Sequence, residues 1–165
     1  MSKPKSVHVY DYVNHPYEEV RSALSPDAPA VFSNATKVAA MRAKNVASEL
    51  HANIAGIDVG TEIAVSVKKI EDSPRKLKRP EMTKLQIEWA ASKMPRLFPI
   101  MKAELSIYPL TSTETQLDLH GEYEVPLGAL GSAIDAVVGH RIAEASVHRF
   151  IKDVAAYLRK ELTGD

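Results

Sequence analysis

Residues 6–14, SVHVYDYVN, place Val7, Val9 and Val13 on one side and His8, Tyr10 and Tyr12 on the other. A period of two predicts a strand. It stops at Asn14-His15-Pro16, where Pro16 suits the first turn of a helix and Asn14 or His15 can cap it. Tyr17, Val20, Ser22 and Leu24 then fill a short helix closed by Ser25-Pro26. Phe32, Ala35, Val38, Ala39 and Ala43 recur at spacings of three and four, which predicts a second helix from about Pro29 to Ala43.

From there the period returns to two. Residues 49–54 and 61–70 flank Gly56-Ile57-Asp58-Val59-Gly60, whose two glycines read as a hairpin turn. Leu85, Ile87 and Trp89 alternate with Lys84, Gln86 and Glu88, and Met101, Ala103, Leu105 and Ile107 with Lys102, Glu104 and Ser106. Thr115, Leu117, Leu119 and Gly121 oppose Gln116, Asp118, His120 and Glu122. Consecutive strands with one oily and one wet face make an antiparallel sheet solvated on one side. No helix separates these three strands, which excludes a doubly wound parallel sheet.

After Pro126-Leu127-Gly128-Ala129-Leu130-Gly131 the pattern turns helical from Ser132 to about Leu162, roughly 30 residues and ~45 Å. Ser132 and Asp135 approximate a capping box. Ala136, His140, Ala143, Val147, Phe150, Ile151, Val154, Leu158 and Leu162 fall on one face. The first half of that face is small and the second half bulky. No repeat or linker interrupts the chain, so residues 1–165 read as one α+β domain.

The order of strand, two short helices, antiparallel sheet and long final helix resembles the SRPBCC (START-like, helix-grip) superfamily, and within it a bacterial branch more than the well-known members. The segments that carry the resemblance are VNHPYEEVRSAL, LFPIMKAELSIYPL and TQLDLHGEYEVPLGALGSAID. It implies a curved antiparallel sheet of about six strands wrapped around the C-terminal helix. It also implies a cavity between them for a small apolar ligand such as a lipid, sterol or polyketide. Some members of the superfamily are cyclases or other enzymes.

Composition narrows the chemistry. Lys plus Arg and Asp plus Glu both number 21, so the balanced charge argues against bulk binding to nucleic acid. Without cysteine there are no disulfides, thiolate ligands or cysteine nucleophiles. The start carries no secretory h-region, and no stretch reaches the ~18–20 apolar residues of a membrane span. The expectation is a cytoplasmic protein.

Phosphate chemistry is unsupported: Gly131 is followed by Ser132-Ala133, without the lysine of a P-loop, and a strand-to-helix hinge is the reading. His140, Glu144 and His148 invite a metal, but helical rise separates the two histidines by ~12 Å, too far for one ion. No metal or cofactor is expected.

Asp11 shares a strand face with Val9 and Val13 and would be a carboxylate at the sheet interior, or else sits at a solvated strand end. His120 and Asp118 read as ordinary surface. The residues assigned to the cavity are Asp11, Trp89, Met101, Leu117, Leu119, Ala136, His140, Ala143 and Val147. Arg75, Lys76, Lys78, Arg79 and Lys84 form a basic loop that could meet an anionic membrane. Three functions fit: apolar-ligand binding without chemistry, a cyclase or dehydratase using Asp11, His140 or a cavity tyrosine, and a protein-interaction module. In the last, Ile134, Val138, Ile142 and Ala145 would be the exposed stripe.

Overall fold

A computed structural model of the chain describes residues 4–26, 28–33, 35, 63–91, 100–124 and 136–164. Its elements are β1 (Lys5–Val13), α1 (Tyr17–Leu24), a helix α2 at residues 28–33 and 35, β2 (Ile63–Ser73), β3 (Met82–Ala91), β4 (Ile100–Pro109), β5 (Thr115–Glu124) and α3 (Ala136–Thr163). The described strands make one five-stranded sheet in the order β1-β5-β4-β3-β2. Every pair is antiparallel. With the long helix laid across its apolar side, this is the helix-grip arrangement. The strand expected at 49–54, its glycine turn and the 126–135 hinge with its cap lie outside the described residues.

The alternation in the strands becomes burial. Leu85, Leu105, Ile107, Leu117 and Leu119 are wholly buried on the inner face, while the even-numbered residues beside them face water. Across from them α3 offers Val147, Phe150, Ile151, Val154 and Leu158, also wholly buried. Phe32 of α2 meets Phe150 with ring centroids 5.5 Å apart, a tilted contact. The bulky half of α3 is therefore packed core. Of the stripe on its other side, Ala145 is half-buried; Ile134 and the side chains of Val138 and Ile142 lie outside the described residues.

Two expectations change. Neither Asn14 nor His15 caps α1. Pro16 occupies the N-cap position with extended backbone (φ −60°, ψ 149°) and makes no side-chain cap bond. Its ring fixes φ near that value, so the chain turns into the helix one residue later, and His15 Nδ1 instead meets Glu19 Oε2 at 3.2 Å.

β2 also outlasts its apolar pattern and runs to Ser73. A register shift between Val67 and Lys69 bends it, and Lys68, Lys69 and Ile70 are exposed. Among the described residues β2 is an edge strand, where a bulge and lysines discourage pairing with another chain.

The end of β2 is held from the side. Arg21 of α1 gives Nε and Nη2 to Asp72 at 3.0 and 2.7 Å. Thr83 donates to Asp72 at 2.6 Å, and the Tyr17 hydroxyl meets Thr83 Oγ1 at 2.6 Å. The guanidinium, then the Thr83 hydroxyl, lower the Asp72 carboxyl to about 2 from its ordinary 3.8. A depressed carboxyl stabilises the fold above its ordinary value and loses that contribution as pH falls through the native one. Asp72→Asn should therefore melt earlier than the parent near neutral pH, and the gap should close by about pH 2. Thermal melts by circular dichroism across that range check it, and a pH-independent gap would show that the charge contributes nothing.

Candidate functional site

The bulky half of α3 closes one end of the sheet–helix interface. Toward the other end the side chains shrink: Ala143 is only partly buried, and Ala103 and Gly121 lie on the inner face of the sheet. Gly121 leaves space that Met101 occupies. A Cβ at Gly121 would stand 3.0 Å from Met101 Sδ and 3.4 Å from Ala103 Cβ. The filler is thus an unbranched thioether, which repacks easily.

A buried polar side chain, Tyr123, stands in this apolar patch. Tyr123 continues the inner-facing series of β5 and is 1% exposed. Its hydroxyl is hydrogen-bonded to His140 Nδ1 of α3, with the two rings near-parallel and centroids 6.0 Å apart. On its other edge His140 Nε2 stands 3.6 Å from Glu144 Oε2, one helical turn on. Burial first, and then the charge of Glu144, push the phenol up to about 12. Tyr123 therefore keeps its proton near neutrality, and the His140 tautomer sets which partner donates: with Nδ1 bare the phenol donates to it and the imidazole N–H on Nε2 faces Glu144. The result is a chain from a buried phenol, through an imidazole at the interface rim, to an exposed carboxylate.

The expected cavity residues divide. Met101, Leu117, Leu119 and Val147 are buried inside. Leu117 and Leu119 belong to the dense middle of the core, whereas Met101 and His140 meet at Tyr123, with Ala143 on the same helix about one turn past His140. Trp89 lies in β3 opposite Met101 and Ala136 opens α3; their side chains are outside the described residues.

Asp11 stands elsewhere. Arg159 Nη2 donates to its Oδ1 at 3.1 Å, and the Tyr12 amide donates to the same oxygen at 2.7 Å. Arg159 also bonds the Tyr12 carbonyl oxygen. Lys5, not Asp11, is the β1 partner of Tyr123, so six residues, or ~20 Å of strand, lie between Asp11 and the site. Asp11 fastens the end of α3 to β1 and takes no part at Tyr123.

The basic loop is a tight hairpin. Lys76 and Arg79 exchange two backbone hydrogen bonds of 3.0 and 3.1 Å, leaving Leu77 and Lys78 at the tip with Leu77 fully exposed. It adjoins the Thr83 end of the sheet, opposite Ile107 and away from Tyr123.

Comparison with known proteins adds the following. No family model matches the chain, and no curated protein matches it. Solved structures of similar shape include a conserved protein from Geobacillus kaustophilus, 16% identical over 93% of this chain and 95% of that one with a TM-score of 0.47. An aromatase/cyclase from Streptomyces is 13% identical over 97% and 96%, TM-score 0.48. A norcoclaurine synthase from Thalictrum flavum is 11% identical over 94% and 87%, TM-score 0.45. Likeness of this degree assigns no role to any residue. Among the described residues no helix is long and apolar enough to cross a membrane.

Sequence reasoning named His140 but passed over Tyr123 by number. The signal was present: the inner-facing run Thr115, Leu117, Leu119, Gly121 has Tyr123 as its next member.

A pH titration tests the site. Native Tyr123 should ionise at about 12, with a phenolate absorbance step that Tyr123→Phe removes. Because the native state holds this proton more tightly than the unfolded chain, the contribution is present below ~10 and disappears as pH rises through the native value. A Tyr123 that ionises at the ~10 of a solvated phenol would contradict its burial.

Proposed function

We propose that the protein binds a small, largely apolar molecule between the sheet and the first half of α3, with Tyr123 and His140 as the polar anchor that orients it. The observation that carries this reading is the Tyr123–His140 hydrogen bond set among Gly121, Ala103, Ala143 and a movable Met101. Ligand sites are commonly apolar surfaces with a few converging polar groups, and this end of the interface has that composition. A ligand carbonyl or hydroxyl can take the phenol's hydrogen bond in place of Nδ1, while Met101 swings aside for its apolar body.

The same atoms support a second reading, acid–base catalysis. A phenol that stays protonated is a general acid, and an imidazole beside a carboxylate can accept and return its proton. That is the chemistry of a cyclisation or dehydration, and here Tyr123 and His140 take the roles, not Asp11.

The basic hairpin supplies a contact for an anionic bilayer in the transport version of the first reading. Each cation near such a surface contributes ~1 kcal/mol, and Leu77 would enter the headgroup layer. Since the hairpin stands at the opposite end of the sheet from Tyr123, docking would orient the protein without opening the ligand site.

Two measurements test the ligand space and the hairpin. Ala143→Phe places a ring where α3 offers only a methyl group. If ligand space is there, an environment-sensitive apolar dye taken up by the parent should be excluded while the melting temperature holds. Unchanged dye uptake with a loss of ~1–3 kcal/mol would mean that the interior is full. Vesicles containing phosphatidylserine should sediment the parent at low salt but not Leu77→Asp; equal sedimentation of both would remove the hairpin from the account.

A further inference from the structure

The outer, wet face of the sheet holds a cluster unrelated to the Tyr123 site. The β1–β5 register sets His8 directly opposite His120 and Tyr10 opposite Asp118, so both histidines and the aspartate share one patch. His8 Nε2 stands 2.5 Å from Asp118 Oδ1. The His8 and His120 rings are stacked 4.2 Å apart at 9°. One ligand atom from each of His8, Asp118 and His120 lies within 4.8 Å of the others.

We propose that His8, Asp118 and His120 form a binding site for a divalent transition-metal ion of borderline softness, with Zn²⁺ or Ni²⁺ as its type. Two imidazoles and a carboxylate are a donor set such ions accept. Tetrahedral donors held ~2.0–2.1 Å from zinc are ~3.3 Å apart, so side-chain rotations close the remaining gap. The ladder fixes the backbone under all three residues, and the rings need only turn out of their stack to aim two lone pairs at one point.

The other Asp118 oxygen accepts from the Tyr108 hydroxyl at 3.4 Å, the kind of outer contact that orients a ligating carboxylate. The side chains of His8 and Asp118 are 46% and 25% exposed. A bound ion would therefore keep one or more positions for water or a small ligand. His120 also lines a depression of about 550 Å³ on this face, shared with Ser6, Glu104 and Glu122, which gives that ligand room.

Calorimetric titration of the full chain, free of any histidine tag, with ZnCl₂ and separately NiCl₂ tests the site. One equivalent should bind saturably and raise the melting temperature by mass action. His8→Ala and His120→Ala should each abolish saturable binding, and Asp118→Asn should weaken it about tenfold or more. His148→Ala, on the exposed side of α3, should leave it unchanged. None of these substitutions removes a buried core side chain, and an unchanged far-ultraviolet dichroism spectrum confirms that each variant is folded. Nickel should also broaden the side-chain proton resonances of His8 and His120. The proposal fails if the parent shows no saturable binding, leaving a plain histidine–aspartate hydrogen bond with stacked rings. It fails equally if binding survives in His8→Ala/His120→Ala, or is lost instead in His140→Ala.

Discussion

Leu85, Leu105, Leu117 and Leu119 lie side by side on three adjoining strands, and each is wholly out of water because helices lie across them. Burying one such side chain is worth ~1.5–3 kcal/mol, so a sheet with one apolar face can persist only with a cover. α3 is the principal cover, and its bulky half meets that need with Phe150, Ile151, Val154 and Leu158. The remaining features depend on where that cover is tight and where it is loose.

The polar fastenings crowd at the tight end. Arg159 holds Asp11 and the Tyr12 carbonyl, Thr115 Oγ1 donates to the His15 carbonyl at 2.8 Å, and Arg21 holds Asp72. Thr163 accompanies them, 3.4 Å from His15 Nε2. Among the described residues around Tyr123 the side chains are small or pliable, and the hydrogen bond that crosses the interface uses groups able to accept other partners. For the ligand proposed above, fastenings at one end would hold the fold while the other end rearranges.

Periodicity made most of the fold legible. Strands declare themselves by alternation, and the inner-facing residues of β3, β4 and β5 are those the pattern selected. The limits are also physical. Asn14 is a good cap for α1 by residue type, whereas the ring of Pro16 decides the local backbone. Asp11 shares its strand face with the buried Val9 and Val13, but its partner Arg159 is 148 residues away, and no local pattern reveals so distant a pairing. The same holds for His8 and His120: each reads as ordinary surface until the register of β1 against β5 makes them neighbours. Tyr123 was within reach, since it needed only one more step along the β5 alternation.

The adjacency of β1 and β5 has a consequence for how the chain acquires its fold. Val13 pairs with Thr115 and Lys5 with Tyr123, so the first strand cannot find its place until the last has been made. On a ribosome, Val7, Val9 and Val13 emerge long before their cover, and loop closure over such a span is slow. Meanwhile β2, β3 and β4 can form a meander from near neighbours. Synthesis thus leaves an apolar N-terminal strand waiting beside a half-built sheet, a species prone to association.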